Sequence, residues 1–193
     1  MFSRDGGKCR ICGTSDQIQV HHIVPVSECS IIATMDMNGV CLCRKHHYEN
    51  DKAWQGERFE HRPSSGKPLA LIFTIPHKFQ AYETVGNWAF SPGGSVVIFV
   101  SELGDWRYNA LVGLHELVEV LKCKHDGVSQ EAVDAFDIAF EASRPEGNDD
   151  EPGDDPKAPY VKQHCLATGI ERILAAELGV VWNEYAEKIE SLP

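Results

Sequence analysis

Cys9-Arg-Ile-Cys12, Val20-His21-His22-Ile-Val-Pro25 and Asn38-Gly-Val-Cys-Leu-Cys43-Arg-Lys-His46-His47 fall within 39 consecutive residues, and this stretch decides the fold of the N-terminal part. Cys9-x2-Cys12 and Cys43-x2-His46 each put two ligands on one tight turn or helix start. Together they form a Cys3His set that suits tetrahedral zinc. Five of the seven cysteines precede residue 44, and an odd total fits poorly with a pure disulfide framework. In a reducing compartment such clustering reads as metal binding. A segment this short buries too little apolar surface to fold unaided, so the expected zinc on Cys9, Cys12, Cys43 and His46 substitutes for a core. Cys29 and Cys41 are expected to be small buried hydrophobes.

The rest of the 193-residue chain is of a different kind. Residues 1–60 hold 7 basic and 8 acidic side chains, whereas the remainder holds 11 and 21, for an overall charge of −11. Such a balance argues against a protein that coats nucleic acid indiscriminately. With 42% hydrophobic and 24% charged residues the chain is globular, and no apolar run approaches the ~20 residues that cross a bilayer. The first residues lack the apolar stretch of a signal peptide, so a soluble, cytoplasmic protein is expected. Residues 61–68 (His-Arg-Pro-Ser-Ser-Gly-Lys-Pro) have linker composition and separate an expected module 1–62 from a second domain, 69–193.

In the first module, short strands are expected at 18–20 and 40–42, followed by a charged helix over 44–59. In that setting the quoted residues resemble the HNH endonuclease family in its zinc-bearing form. Its pattern is Cys-x2-Cys, then (Asp or His)-His-x2-Pro, then Asn-x4-Cys-x2-(Cys or His)-His, and each element is present here in order. The resemblance covers roughly residues 8–60 and implies a ββα-metal fold. It implies that His22 is the general base and that His21 and His47 are ligands of the catalytic cation. It further implies that Asn38 holds the loop that bears the base. An imidazole with a pKa of ~6.5 suits base work at neutral pH. Adjacent helical residues point about 100° apart, so His46 and His47 serve different ions, one structural and one catalytic. The catalytic cation is left open between Mg2+, Mn2+, Ni2+ and Zn2+. The implied substrate is DNA, expected to be double-stranded, with Arg44, Lys45, Lys52 and Arg58 available to its phosphates.

The second domain is expected to be α+β, with strands at 69–75, 82–90 and 95–101 followed by helices at 108–122, 129–142 and 160–189. Ser129 is the expected N-cap of the middle helix. On the first helix His115 and Glu119 stand at i and i+4 beside Glu116, which is the geometry of a His-Glu-x-x-His zinc helix with Glu in place of the second His. Asp134, Asp137 and Glu141 share a face of the next helix, and His164 and Glu171 sit seven apart on the last. These polar stripes are expected either to converge on a cation or to face solvent, because each costs several kcal/mol if buried unpaired. The acidic loop 146–159 is expected to be solvated. Residues 69–193 resemble uncharacterised phage-type proteins, which implies no activity, though a protein partner for this domain is allowed. Two rival functions stand beside the nuclease: a non-catalytic zinc module that binds DNA or protein, and a metal-dependent hydrolase that uses the His115 helix.

Overall fold

The computed structural model describes residues 5–26, 29–53, 68–145 and 150–192, and the fold is α+β. Arg58 and most of the expected linker lie outside the described residues, as do the side chain of Lys52 and the part of the expected first helix beyond residue 53. The chain divides into two compact units, 1–69 with 90–97 and 70–89 with 98–193.

The first unit is built on an antiparallel hairpin of β1 (Ile18–His22) and β2 (Gly39–Cys43), followed directly by α1 (Arg44–Ala53). The register pairs His21 with Val40 and His22 with Gly39. Successive side chains of a strand leave on opposite faces, so the two histidines point to opposite sides of the hairpin. Every residue of β2 is buried, including Cys41, and α1 packs on both strands. The strands run slightly longer than the sequence suggests. β1 continues through His21 and His22 and β2 takes in Gly39 and Cys43, all of which the ladder pairs.

A second sheet holds strands β3 (Ala70–Ile75), β4 (Gly86–Phe90) and β5 (Val96–Ser101) in the order β3-β5-β4, and the second unit contains all of these strand residues but Phe90, Val96 and Val97. Four helices follow: α2 (Trp106–Asp126), α3 (Gln130–Ser143), α4 (Val161–Glu177) and α5 (Trp182–Glu190). β4 starts four residues later than expected. Residues 81–85 bend instead, and buried Gln80 donates from Nε2 to the carbonyls of Val85 and Phe99, each at 3.2 Å. Asp105 caps α2 by accepting from the Arg107 N–H at 2.9 Å, and Gly127 closes it in the left-handed region at φ +78°. Ser129 caps α3 as expected, accepting from the Ala132 N–H at 3.3 Å.

The single helix expected over 160–189 is two helices. The signal for the break is Gly179, whose φ of +66° a side chain would strain, and the Val180 N–H turns back to the Ala175 carbonyl at 2.9 Å. On α2 the buried positions include Leu111, Val112, His115, Glu119 and Cys123; on α4 they are Gln163, His164, Ala167, Glu171 and Ala175. Both sets recur at helical spacing, so α2 and α4 pack face to face with polar residues inside the seam.

Candidate functional site

The first unit carries two neighbouring constellations. Cys9 and Cys12 flank a turn closed by Gly13, which sits at φ +72° and donates its N–H to the Cys9 carbonyl at 2.8 Å. Cys43 ends β2 and His46 lies on the first turn of α1, so the strand-to-helix junction supplies the other pair. The four side chains meet. His46 Nδ1 lies 3.4 Å from Cys9 Sγ and 3.3 Å from Cys43 Sγ, and Cys12 Sγ lies 3.9 Å from Cys43 Sγ. A tetrahedral zinc ion with ordinary bond lengths demands edges of about 3.8 Å between sulfurs and about 3.5 Å between sulfur and nitrogen. The observed edges fit that ion.

Burial pushes the Cys9 thiol up, but the backbone around Cys43, Cys12 and Ile11, together with His46, outweighs burial and brings it down to about 6. Thiolate is the form a metal takes. The Asp5 carboxylate accepts from the Cys41 N–H at 2.8 Å and so ties the residues before Cys9 to β2.

Beside this cluster, His21 of β1 and His47 of α1 bring their rings edge to face, with centroids 5.0 Å apart. His21 is buried and His47 half-buried. His22 Nε2 lies 3.0 Å from the Ala33 carbonyl oxygen. A carbonyl only accepts, so the ring donates through Nε2 and keeps the lone pair on Nδ1.

Asn38 organises the connection between the strands. It is fully buried; its Oδ1 accepts from the Val24 N–H at 2.8 Å, while its Nδ2 donates to the carbonyls of Val24 (3.1 Å) and Ile32 (3.3 Å). The carbonyl it holds on Ile32 is the immediate neighbour of the one that holds His22. Asn38 thus acts on the base candidate through two consecutive peptide units.

The second unit brings together residues that the sequence left on separate helical faces. His115, Glu119, Asp137, His164 and Glu171 are all buried, whereas Asp134 and Glu141, on the same face as Asp137, are half-buried. His115 Nε2 lies 3.1 Å from His164 Nδ1, and Glu119 Oε2 lies 3.6 Å and 3.2 Å from those two nitrogens. Asp137 stands apart from this trio and accepts the hydroxyls of Tyr82 (3.3 Å) and Tyr160 (2.5 Å). The cluster favours positive charge at its centre. Burial alone would lower both imidazoles, but Glu119 with Glu171 holds His115 well above its ordinary range, and Glu119 with Glu151 holds His164 at about 9. Burial beside Glu119 pushes the Glu116 carboxyl up to about 8.

Nothing in the residue pattern singles out Glu151, Trp88 or Tyr185. Glu151 belongs to the acidic loop expected to be solvated, yet residues 152–154 form a 3-10 turn against His164. A Cβ on Gly153 would lie 2.3 Å from His164 Cγ, so only glycine fits there. Residues 146–149 of that loop lie outside the described residues. Among the described residues no helix is long and apolar enough to cross a membrane.

Neither the curated proteins nor the solved structures contain a match to this chain. Residues 9–54, which contain this Cys and His cluster, match the family model of the HNH endonucleases, and Cys9, Cys12, Cys43 and His46 within them could hold a zinc ion.

Proposed function

We propose that the protein is a metal-dependent endonuclease that hydrolyses phosphodiester bonds of double-stranded DNA in the cytoplasm, with His22 as its general base. The observation that carries this reading is the division of labour around the hairpin. His22 is anchored through Nε2 to the Ala33 carbonyl, while the neighbouring His21 turns its ring to that of His47.

Water with a pKa of ~15.7 is a poor nucleophile at neutral pH, so a base must take its proton as it attacks phosphorus. The free Nδ1 of His22 is that acceptor. The water oxygen bonds to phosphorus, its proton passes to His22, and the P–O bond to the leaving sugar oxygen breaks. His21 and His47 would hold the catalytic cation, which supplies charge neutralisation on the phosphate and on the leaving oxygen. Mn2+, Ni2+ and Zn2+ suit a site with two imidazoles and open positions, and Mg2+ would enter it only with water and phosphate oxygens filling the rest of its shell. The zinc on Cys9, Cys12, Cys43 and His46 takes no part in the step and supplies folding energy. Arg44 and Lys45 are exposed on α1 and available to the phosphates.

The test is plasmid nicking with added divalent cation. His22→Ala should nick ~10²–10⁴-fold more slowly, the usual worth of a positioned base, with zinc content unchanged. His47→Ala should lose activity through the cation and recover part of it at higher metal concentration, whereas His22→Ala should not. Wild-type nicking by His22→Ala would overturn the assignment. Metal rescue of His22→Ala would mean that His21 and His22 exchange roles.

A further inference from the structure

The seam between α2 and α4 contains a problem of electrostatics that the nuclease reading leaves untouched. His115 Nδ1 lies 2.8 Å from Glu171 Oε2, and His164 Nε2 lies 3.3 Å from Glu151 Oε2 and 3.6 Å from Asp154 Oδ1. Ionised carboxylates only accept, so each ring places its N–H on the outer side. The inner nitrogens, His115 Nε2 and His164 Nδ1, then turn lone pairs toward each other across 3.1 Å, with Glu119 Oε2 as a third electron-rich atom beside them. Three acceptors this close, in a buried seam, repel one another unless a cation lies between them, either a metal ion or the protons that the surrounding carboxylates otherwise hold on the two rings.

We infer that His115 Nε2, His164 Nδ1 and Glu119 Oε2 form a second metal centre, separate from the HNH-type domain, that takes a divalent transition-metal ion of the zinc class. The triangle has the right size. Its edges are 3.1, 3.2 and 3.6 Å, against the edge of about 3.3 Å that a tetrahedral ion with bonds of about 2.0–2.1 Å requires.

The surroundings are those of a built site. Metal-bound histidines characteristically donate their other N–H to a carboxylate, and both rings here do so. The partner carboxylates and the third ligand are themselves held. Glu171 Oε1 accepts the Tyr185 hydroxyl, and Glu119 Oε1 accepts the Trp88 indole N–H at 3.1 Å. Two imidazoles and one carboxylate select zinc-like ions over Mg2+ and Ca2+, which prefer all-oxygen shells. Three protein ligands leave a fourth position open, as in hydrolytic zinc sites. The three residues line a cavity of about 440 Å³, room for a water and a small ligand.

The experiment is equilibrium dialysis of the full chain against Zn2+ in excess Mg2+, followed by metal counting per chain. Glu119→Gln, nearly isosteric and still able to accept from Trp88, should hold one zinc fewer than wild type, as should His115→Ala. His47→Ala combined with Glu119→Gln should lose one more than His47→Ala alone, which separates this centre from the nuclease cation. Glu171→Gln, acting through His115, should weaken binding ~10–100-fold without abolishing it. Zinc should also raise the melting temperature of the second unit in wild type but not in Glu119→Gln. A wild-type zinc count in Glu119→Gln and His115→Ala would overturn the proposal. So would a wild-type melting transition of the second unit that ignores zinc, because a proton shared between the two imidazoles would then occupy the place assigned to the metal. Loss of nicking with this centre intact, or the reverse, keeps the two assignments distinguishable.

Discussion

Replacing Asn38 with alanine removes three buried hydrogen bonds at once, to the Val24 N–H, the Val24 carbonyl and the Ile32 carbonyl. Each is worth about 1 kcal/mol net, and the backbone groups left behind have no water to turn to, so the loss sums to about 3 kcal/mol. That is roughly a 150-fold shift in the unfolding equilibrium of the first unit, at 1.36 kcal/mol per decade. The assay is release of zinc to a chromophoric chelator along a urea series, which reports on this unit because its Cys3His cluster brings residues 9 and 12 together with residues 43 and 46. The midpoint should fall well below that of wild type. Where the variant is still folded, nicking should fall as well, because the peptide that anchors His22 at Ala33 follows the one Asn38 holds at Ile32. A midpoint equivalent to less than about 0.5 kcal/mol of change, beyond which surface substitutions rarely reach, would refute the reasoning.

Cys12→Ser should release the structural zinc and unfold the first unit, because metal binding supplies its folding energy; elemental analysis with far-UV circular dichroism checks both. Asp137→Asn tests a pH effect in the second unit. Burial raises the Asp137 carboxyl from 3.8 to about 6 against the opposing tyrosine bonds, so the folded state binds a proton more tightly than the unfolded state does. Its contribution is fully present below about pH 3.8 and is lost as pH rises through 6, to an extent on the order of 3 kcal/mol. Denaturation at pH 4.5 and 7 should show a downward slope in the wild type that Asp137→Asn flattens; equal slopes would refute it.

The first unit was largely legible in its sequence because its chemistry is local or ordered along the chain. Cys-x2-Cys and Cys-x2-His fix their own geometry within one turn each, and the Asn38 offset from Cys43 follows from a five-residue strand. The role of the Ala33 carbonyl was not legible, since a backbone acceptor leaves no mark on residue identity. The break between α4 and α5 was marked only by Gly179, inside a run whose apolar periodicity otherwise continues on both sides. Its positive φ is a property of the fold that composition merely permits.

The second unit shows why spacing alone could not choose between solvated stripes and a metal centre. His115 and Glu119 are one helical turn apart, which any solvent-facing pair can be. What decides their role is His164, 45 residues beyond Glu119, and the carboxylates of Glu151 and Glu171 behind the two rings. Those contacts depend on the close approach of α2 and α4, permitted by small residues such as Ala167 and by Gly153, whose missing side chain is the space the His164 ring occupies. A glycine in an acidic Pro- and Gly-rich loop looks like a solvated turn from the sequence. In the fold it is what lets the loop press a carboxylate onto an imidazole and turn that ring's other nitrogen toward His115 and Glu119. Hydrogen bonds satisfy the buried polar seam, and the proposed cation at its centre would add to them, so that the stability of the second unit would follow the concentration of that ion.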